Sequence, residues 1–314
     1  MSTLVPYRNP AVRDLAWVMA SPGLLKPSPT HPGDRLVSDE WCQRLIARHH
    51  DWLQAIDEDP SDLTAWLAHR RNHRLGYYFE ALVAYWLARC PAFKLHNTRI
   101  QIRDGERTVG ELDFLFYDRD RAAWVHWEVA VKFYLLAHDR QGVAYWYGPD
   151  PRDRLDLKLA RMFDHQLKVP TLPAARRVLP SEISDSLHSE AFIKGYLFYP
   201  LECHMNVAKP GIQNVSEHHL RGWWTRFPNA RLPKFDNPVR WKIVPRLQWL
   251  APQQTDEMET DEWVPDELVH DILAHHFKRH ARPVLLAAVQ QDHSGRWVEQ
   301  CRGFVVGEHW PAQG

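Results

Sequence analysis

Two neighbouring runs, Gly110-Glu-Leu-Asp-Phe-Leu-Phe-Tyr-Asp118 and Ala123-Trp-Val-His-Trp-Glu-Val-Ala-Val-Lys-Phe-Tyr-Leu135, decide how this chain is read. Both are rich in β-branched and aromatic residues, the composition of strands. The polar stretch Asp118–Arg121 between them reads as a turn. Successive strand side chains point to opposite faces. On the second run His126, Glu128, Ala130 and Lys132 therefore share one face. Val125, Trp127, Val129, Val131 and Phe133 share the other, a core face. On the first run Glu111, Asp113 and Leu115 oppose Leu112, Phe114 and Phe116. A hairpin closed through residues 118–123 sets Asp113 opposite Glu128.

Directly opposed residues have Cβ atoms roughly 4.5–5.5 Å apart. Two carboxylates that close repel unless a cation lies between them or one takes up a proton. Mg²⁺ or Mn²⁺ suits such hard oxygen ligands. Lys132, on the same face, could then reach a phosphate oxygen or orient an attacking water, whose pKa a metal lowers. Taken singly, Asp113 or Glu128 is more often a solvated strand residue or an ion-pair partner.

Outward from this pair, Phe93–Arg103 alternates as a third strand, ending at the turn Asp104-Gly105. Before it, Leu75, Phe79, Leu82, Val83, Trp86 and Leu87 recur at a helical period across His73–Arg89. After the strands, Asp150-Pro151 reads as cap and first position of a helix reaching Lys168. An apolar strand, Ala191–Pro200, follows. Towards the N-terminus the pattern gives a short helix at Val12–Met19, one from Ser38 to Ile56, and one from Ser61 to Leu67. Beyond residue 200 it gives a strand Trp241–Leu250, a helix Pro265–Arg279 and a hairpin of Val284–Gln290 with Trp297–Val306. The expected organisation is an N-terminal arm and helices (1–70), an α/β core (71–200) and a mixed α+β extension (201–314).

The order helix, three strands, helix, strand over Arg71–Pro200 resembles the PD-(D/E)XK nuclease superfamily, whose restriction-endonuclease-like core is a mixed sheet flanked by helices. The resemblance maps the family's second-strand acid to Asp113, its third-strand lysine to Lys132, and an assisting first-helix glutamate to Glu80 in Gly76-Tyr-Tyr-Phe-Glu80. The family usually carries its second acid two residues before the lysine; here that position is Ala130, and the acid is Glu128. The resemblance implies Mg²⁺- or Mn²⁺-dependent hydrolysis of nucleic acid, with Asp113, Glu128 and Glu80 on the metal and Lys132 at the phosphate. The alternative it leaves is an inactive nuclease-fold module that binds nucleic acid or a protein. The whole chain also resembles the bacterial domain-of-unknown-function family 1853, through Val12-Arg-Asp-Leu-Ala-Trp17, Glu128–Leu135 and the Gly148-Pro149 lead into the helix holding His165-Gln166.

Candidate phosphate contacts are Arg71 and Arg74 ahead of the Glu80 helix, and Lys158 and Arg161 on the helix after the strands. Gln166 on that helix reads first as a solvent-facing residue; the resemblance offers instead the role of a glutamine that orients the site in some exonuclease branches. Arg221–Arg246 interleaves basic residues with Trp223, Trp224 and Trp241, which suits either base stacking or a core. His275, His276 and His280 lack an HExxH partner and read as surface histidines. No G-x-S-x-G elbow is present.

Formal net charge is zero, against non-specific nucleic-acid binding by the whole surface. The four cysteines are far apart with no CxxC pair, against a zinc or disulfide framework. Met1–Leu25 has no signal-peptide pattern, and no apolar stretch reaches the roughly 20 residues of a membrane span. A cytoplasmic protein with no membrane partner is expected.

Overall fold

The computed structural model describes residues 7–69, 72–204, 214–256 and 262–311, without the side chains of Cys203 and His204. The chain forms two compact units. One comprises Met1–Lys132, Leu157–Gly195 and Asn214–His219; the other comprises Phe133–Asp156, Tyr196–Gln213 and Leu220–Gly314. The boundary expected at residue 70 falls inside the first unit, and the expected core 71–200 contributes to both.

In the first unit, α1 (Pro10–Ala20) begins at Asn9, whose side chain accepts the N–H groups of Ala11 and Val12. Ser38 caps α2 (Asp39–Arg48) by accepting the Trp41 N–H. The helix expected to run on to Ile56 is interrupted at His49, where the backbone leaves helical angles, so α3 (His50–Glu58) is separate. After α4 (Ser61–Ala68) comes α5 (Leu75–Arg89), with Phe79, Leu82, Val83, Trp86 and Leu87 buried as its period predicts. Two polar bonds fasten α5 to α1: Trp86 Nε1 donates to the Leu15 carbonyl at 2.7 Å, and Tyr78 Oη to Asp14 at 2.7 Å.

Strands β1 (Phe93–Asp104), β2 (Arg107–Asp118) and β3 (Ala123–His138) form an antiparallel meander. After the short β4 (Ala144–Tyr147) the expected helix start at Asp150 is not found; α6 spans Leu155–Asp164. Asp150 instead closes a turn, accepting the Asp153 N–H on its carbonyl and the Arg152 guanidinium on its carboxylate. A 3₁₀ turn, Gln166–Thr171, replaces the helix's last residues because Pro170 cannot continue it. Strand β5 (His188–Pro200) lies beside β3. His126 meets Ser189 and Lys132 meets Gly195, so the two strands run in the same direction. At Gly195 (φ 142°) an added Cβ would fall 1.8 Å from the Lys132 carbonyl oxygen, so glycine alone permits this approach.

In the second unit the late parts of β3 and β5 continue. β4 pairs with β3, and from β5 the strand order is β6 (Leu220–Arg226), β11 (Trp297–Val306), β10 (Val284–Gln291), β7 (Arg240–Ile243), β9 (Val264–Pro265). The two-residue β8 (Gln254–Thr255) pairs with β11. β10 and β11 form the expected hairpin, whereas the strand expected over Trp241–Leu250 stops at Ile243. Pro245, two residues on, leads into a 3₁₀ turn. Trp223, Trp241, Leu273 of the helix Val269–Arg279, Leu286 and Val305 share one core. The chain is thus a mixed α/β structure with a large mixed sheet and flanking helices. No helix among the described residues is long and apolar enough to cross a membrane.

Candidate functional site

The β2–β3 ladder runs in the register expected from the sequence, from Asp118↔Ala123 to Phe114↔Trp127. The next facing positions are Asp113 and Glu128, and there the ladder changes. The Val129 N–H donates to Asp113 Oδ2 at 3.0 Å, so a side chain takes the place of a backbone carbonyl. Strict alternation also lapses on β2. Leu112 packs in the same cluster as Leu115, three positions on, and not on the face of Phe114 and Phe116. The irregularity turns the Asp113 carboxylate towards β3.

Glu128 is fully buried. Its Oε2 accepts Gln166 Nε2–H at 2.6 Å, and its Oε1 lies 3.1 Å from His126 Nε2. His126 Nδ1 is in turn 3.2 Å from Ser189 Oγ. A polar line, Ser189–His126–Glu128–Gln166, therefore joins β5, β3 and the turn after α6. Gly110 lets that turn settle on β2: a Cβ there would sit 2.5 Å from a Val169 methyl. Without this close seat Gln166 would not reach Glu128.

Burial, then the charge of Glu128, raises Asp113 to about 7; the Val129 N–H opposes the rise. Burial raises Glu128 to about 8, against hydrogen bonds from Asp113. His126 is lowered to about 4 by burial, with the Asp113 charge opposing. Near neutral pH the carboxyl pair thus retains a proton beside an uncharged imidazole. Among the described residues no arginine or lysine is ion-paired with either carboxylate. Arg161 acts on Glu128 only at longer range.

The pair can offer hard, anionic oxygens to a divalent cation. No group of three or more His, Cys, Asp or Glu side chains among the described residues is arranged to hold a metal. An ion held here would complete its shell with water or substrate oxygens, which is the habit of Mg²⁺. The donors fit that ion in charge and hardness. His126 and Gln166 already fix the orientation of Glu128, as partners of ligating carboxylates do.

The other expected residues divide. Glu80, on α5, is bonded to Arg99, whose guanidinium lies 4.6 Å from the Tyr77 ring centroid. Its charge still helps to raise Asp113. Glu80, Tyr77, Arg99 and Phe114 line an open pocket of about 500 Å³. Arg99 holds a left-handed backbone (φ 53°), uncommon outside glycine. Lys132 is half-buried on β3, against Gly195. Arg74, Lys158 and Arg161 are exposed, and Arg71 lies outside the described residues. Gln166 turns inward to Glu128 and not to solvent.

Two members of the polar line, His126 and Ser189, were not singled out from sequence. The signal for His126 was its place two residues before Glu128 on one strand face; nothing local marked Ser189. Trp223, Trp224 and Trp241 are buried, so Arg221–Arg246 offers no stacking surface through them. Residues 257–261 of the acidic run lie outside the described residues; its ends, Asp256 and Glu262, pair with Arg296 and Lys242. His276 Nε2 lies 2.9 Å from the Arg282 carbonyl.

A family model described as a domain of unknown function, DUF1853, matches residues 13–306. No curated protein and no solved structure matches the chain.

Proposed function

The chain belongs to the DUF1853 family, and we propose that it is a metal-dependent nuclease that hydrolyses phosphodiester bonds in nucleic acid at the Asp113–Glu128 pair. The observation that carries this reading is the pair itself: two adjacent carboxyls, Asp113 half-buried and Glu128 fully buried, raised to about 7 and about 8, with no ion-paired arginine or lysine among the described residues. The element order α5, β1, β2, β3, α6, β5, with β5 parallel to β3, supports a core similar to the PD-(D/E)XK superfamily. The Gln166–Glu128 bond agrees with the orienting glutamine of its exonuclease branches.

A bound Mg²⁺ or Mn²⁺ supplies charge stabilisation at the phosphate and acidifies a coordinated water. The protein's part is to present Asp113 and Glu128 ionised, which requires them to give up the proton they retain near neutral pH. Gln166 and the neutral His126 hold Glu128 in one orientation while this happens. Lys132 contributes positive charge towards the phosphate, and Arg74, Lys158 and Arg161 are positions for backbone contacts.

The test is incubation of purified protein with Mg²⁺ or Mn²⁺ and single- and double-stranded DNA and RNA. Cleavage should fall by about a hundredfold or more in Asp113→Asn and Glu128→Gln, and also in Lys132→Ala. Cleavage indifferent to these changes would sink the assignment. One observation favours a second reading, a nuclease-fold module that binds without cleaving: Glu80, expected to assist the metal, is engaged by Arg99. That module would bind nucleic acid equally well with or without divalent cation.

A further inference from the structure

The second unit contains a pocket of about 470 Å³ onto which Arg140, Arg154 and Arg226 converge, with Tyr147 and Trp310 in its lining. Two of these guanidiniums are held in place. Arg226, the last residue of β6, donates Nε–H to the Trp310 carbonyl at 3.1 Å and lies 4.8 Å from the Trp224 ring centroid. Among the described residues it has no carboxylate partner. Arg154 stacks 3.8 Å from the Tyr145 centroid and is bonded to Asp156 at 3.0 and 2.5 Å. Asp139, also in the lining, is occupied with its own loop, accepting the N–H groups of Gln141 and Val143 at 2.9 and 2.8 Å. His138 and His309 add two further nitrogen-bearing rings, and exposed Glu308 is the remaining acid.

Guanidiniums fixed by stacking and by a backbone carbonyl lose little freedom on binding and present their remaining N–H forks ready-made. A phosphate ester is the group that several such forks can share, since it carries three free oxygens or two where it is a diester. The volume suits a ligand the size of one nucleotide. We propose that this pocket is a phosphate-ester site, taking either a free nucleotide or one phosphate of a single-stranded nucleic acid. Glu308 acts as its restraint: the carboxylate at the rim repels the anion and limits affinity. The site is independent of the Asp113–Glu128 chemistry and stands whether or not that pair cleaves anything.

Calorimetry on the full chain with adenosine 5′-monophosphate, a ten-nucleotide single-stranded DNA and inorganic phosphate reads the proposal. At least one of the first two should bind, and Arg226→Ala should weaken it about tenfold or more. Arg226→Lys, which keeps the charge without the fork, should fall between. Glu308→Gln, an exposed change with no folding consequence, should tighten binding severalfold. The exposed Arg103→Ala, on β1 and outside the pocket lining, should match wild type. Binding of the oligonucleotide alone identifies backbone recognition; equal binding of the mononucleotide identifies a free nucleotide. The proposal is overturned if neither ester binds at millimolar concentration, or if binding ignores both Arg226→Lys and Glu308→Gln.

Discussion

The first unit contains two pairs of acids wholly or partly buried near the same strands, and they are treated in opposite ways. Asp118 and Glu190 are clasped by one guanidinium: Arg121 Nε lies 2.6 Å from Asp118 Oδ2, and its Nη1 2.5 Å from Glu190 Oε1. Glu190 also accepts the Trp127 indole N–H at 2.8 Å, and Asp118 accepts two backbone N–H groups. Asp113 and Glu128 receive hydrogen bonds but, among the described residues, no arginine or lysine, and both are raised towards or beyond neutrality. The fold can build a counter-ion into an acidic pair, and at Asp113–Glu128 it leaves that role to a proton, which the proposed metal ion would displace. A pair this far from solvent with no built-in counter-ion is costly to keep, which is why it is the place to look for chemistry.

Both pairs depend on β5 lying close to β3, so the largest effect should come from Gly195→Ala. Its Cβ would collide with the Lys132 carbonyl, and destabilisation of about 3 kcal/mol or more is expected in urea unfolding. A neutral result would remove the common support of the two pairs. Next comes the direct contrast. Arg121→Met should cost about 2–4 kcal/mol by stranding two buried carboxylates, whereas Asp113→Asn should change stability by less than about 1 kcal/mol or raise it. The reverse ranking would mean that Arg121 is not what neutralises Asp118 and Glu190.

Stability against pH gives the third effect. Asp113 and Glu128 have native pKa values above their unfolded values of about 4. The native state therefore keeps protons that the unfolded chain has released, and the stability they contribute is lost as pH rises through about 7 and about 8. His126 is depressed to about 4, so it works in the opposite direction below its unfolded value of about 6.5. The fall should be steepest between about pH 6.5 and 8, at about 1–2 kcal/mol per unit. Asp113→Asn with Glu128→Gln should flatten it; an unchanged slope would contradict the shared proton. Smallest is Gln166→Ala, expected to cost about 1 kcal/mol and to raise the Glu128 pKa further by removing a donor to its ionised form, readable by carboxyl-sensitive NMR.

Much of the first unit was legible because its signals are local. Period two set the faces of β3, the polar turn set the β2–β3 register, and period 3.6 set α5. The break at His49 and the delayed start of α6 were not legible, since Asp150 uses its cap chemistry within a turn. At the site, Asp113 and Glu128 were visible as facing strand residues. The lapse in alternation at Leu112 was not, because it depends on Asp113 replacing a backbone acceptor. Ser189 and the inward turn of Gln166 depend on how β5 and the 3₁₀ turn dock, through Gly195 and Gly110, and no periodicity reports that. The basic, tryptophan-rich segment shows the converse error: its composition suits stacking on bases, yet its indoles fill a core.

What sets Asp113 and Glu128 apart is that they hold a proton where Asp118 and Glu190 hold a guanidinium. Calorimetric titration of Mn²⁺ at pH 7, repeated in buffers of different ionisation enthalpy, measures how many protons leave as the ion binds. Release of about one to two protons per ion is expected, with binding and release both lost in Glu128→Gln. Absence of binding at millimolar Mn²⁺, or binding with no proton release that persists in Glu128→Gln, would contradict it.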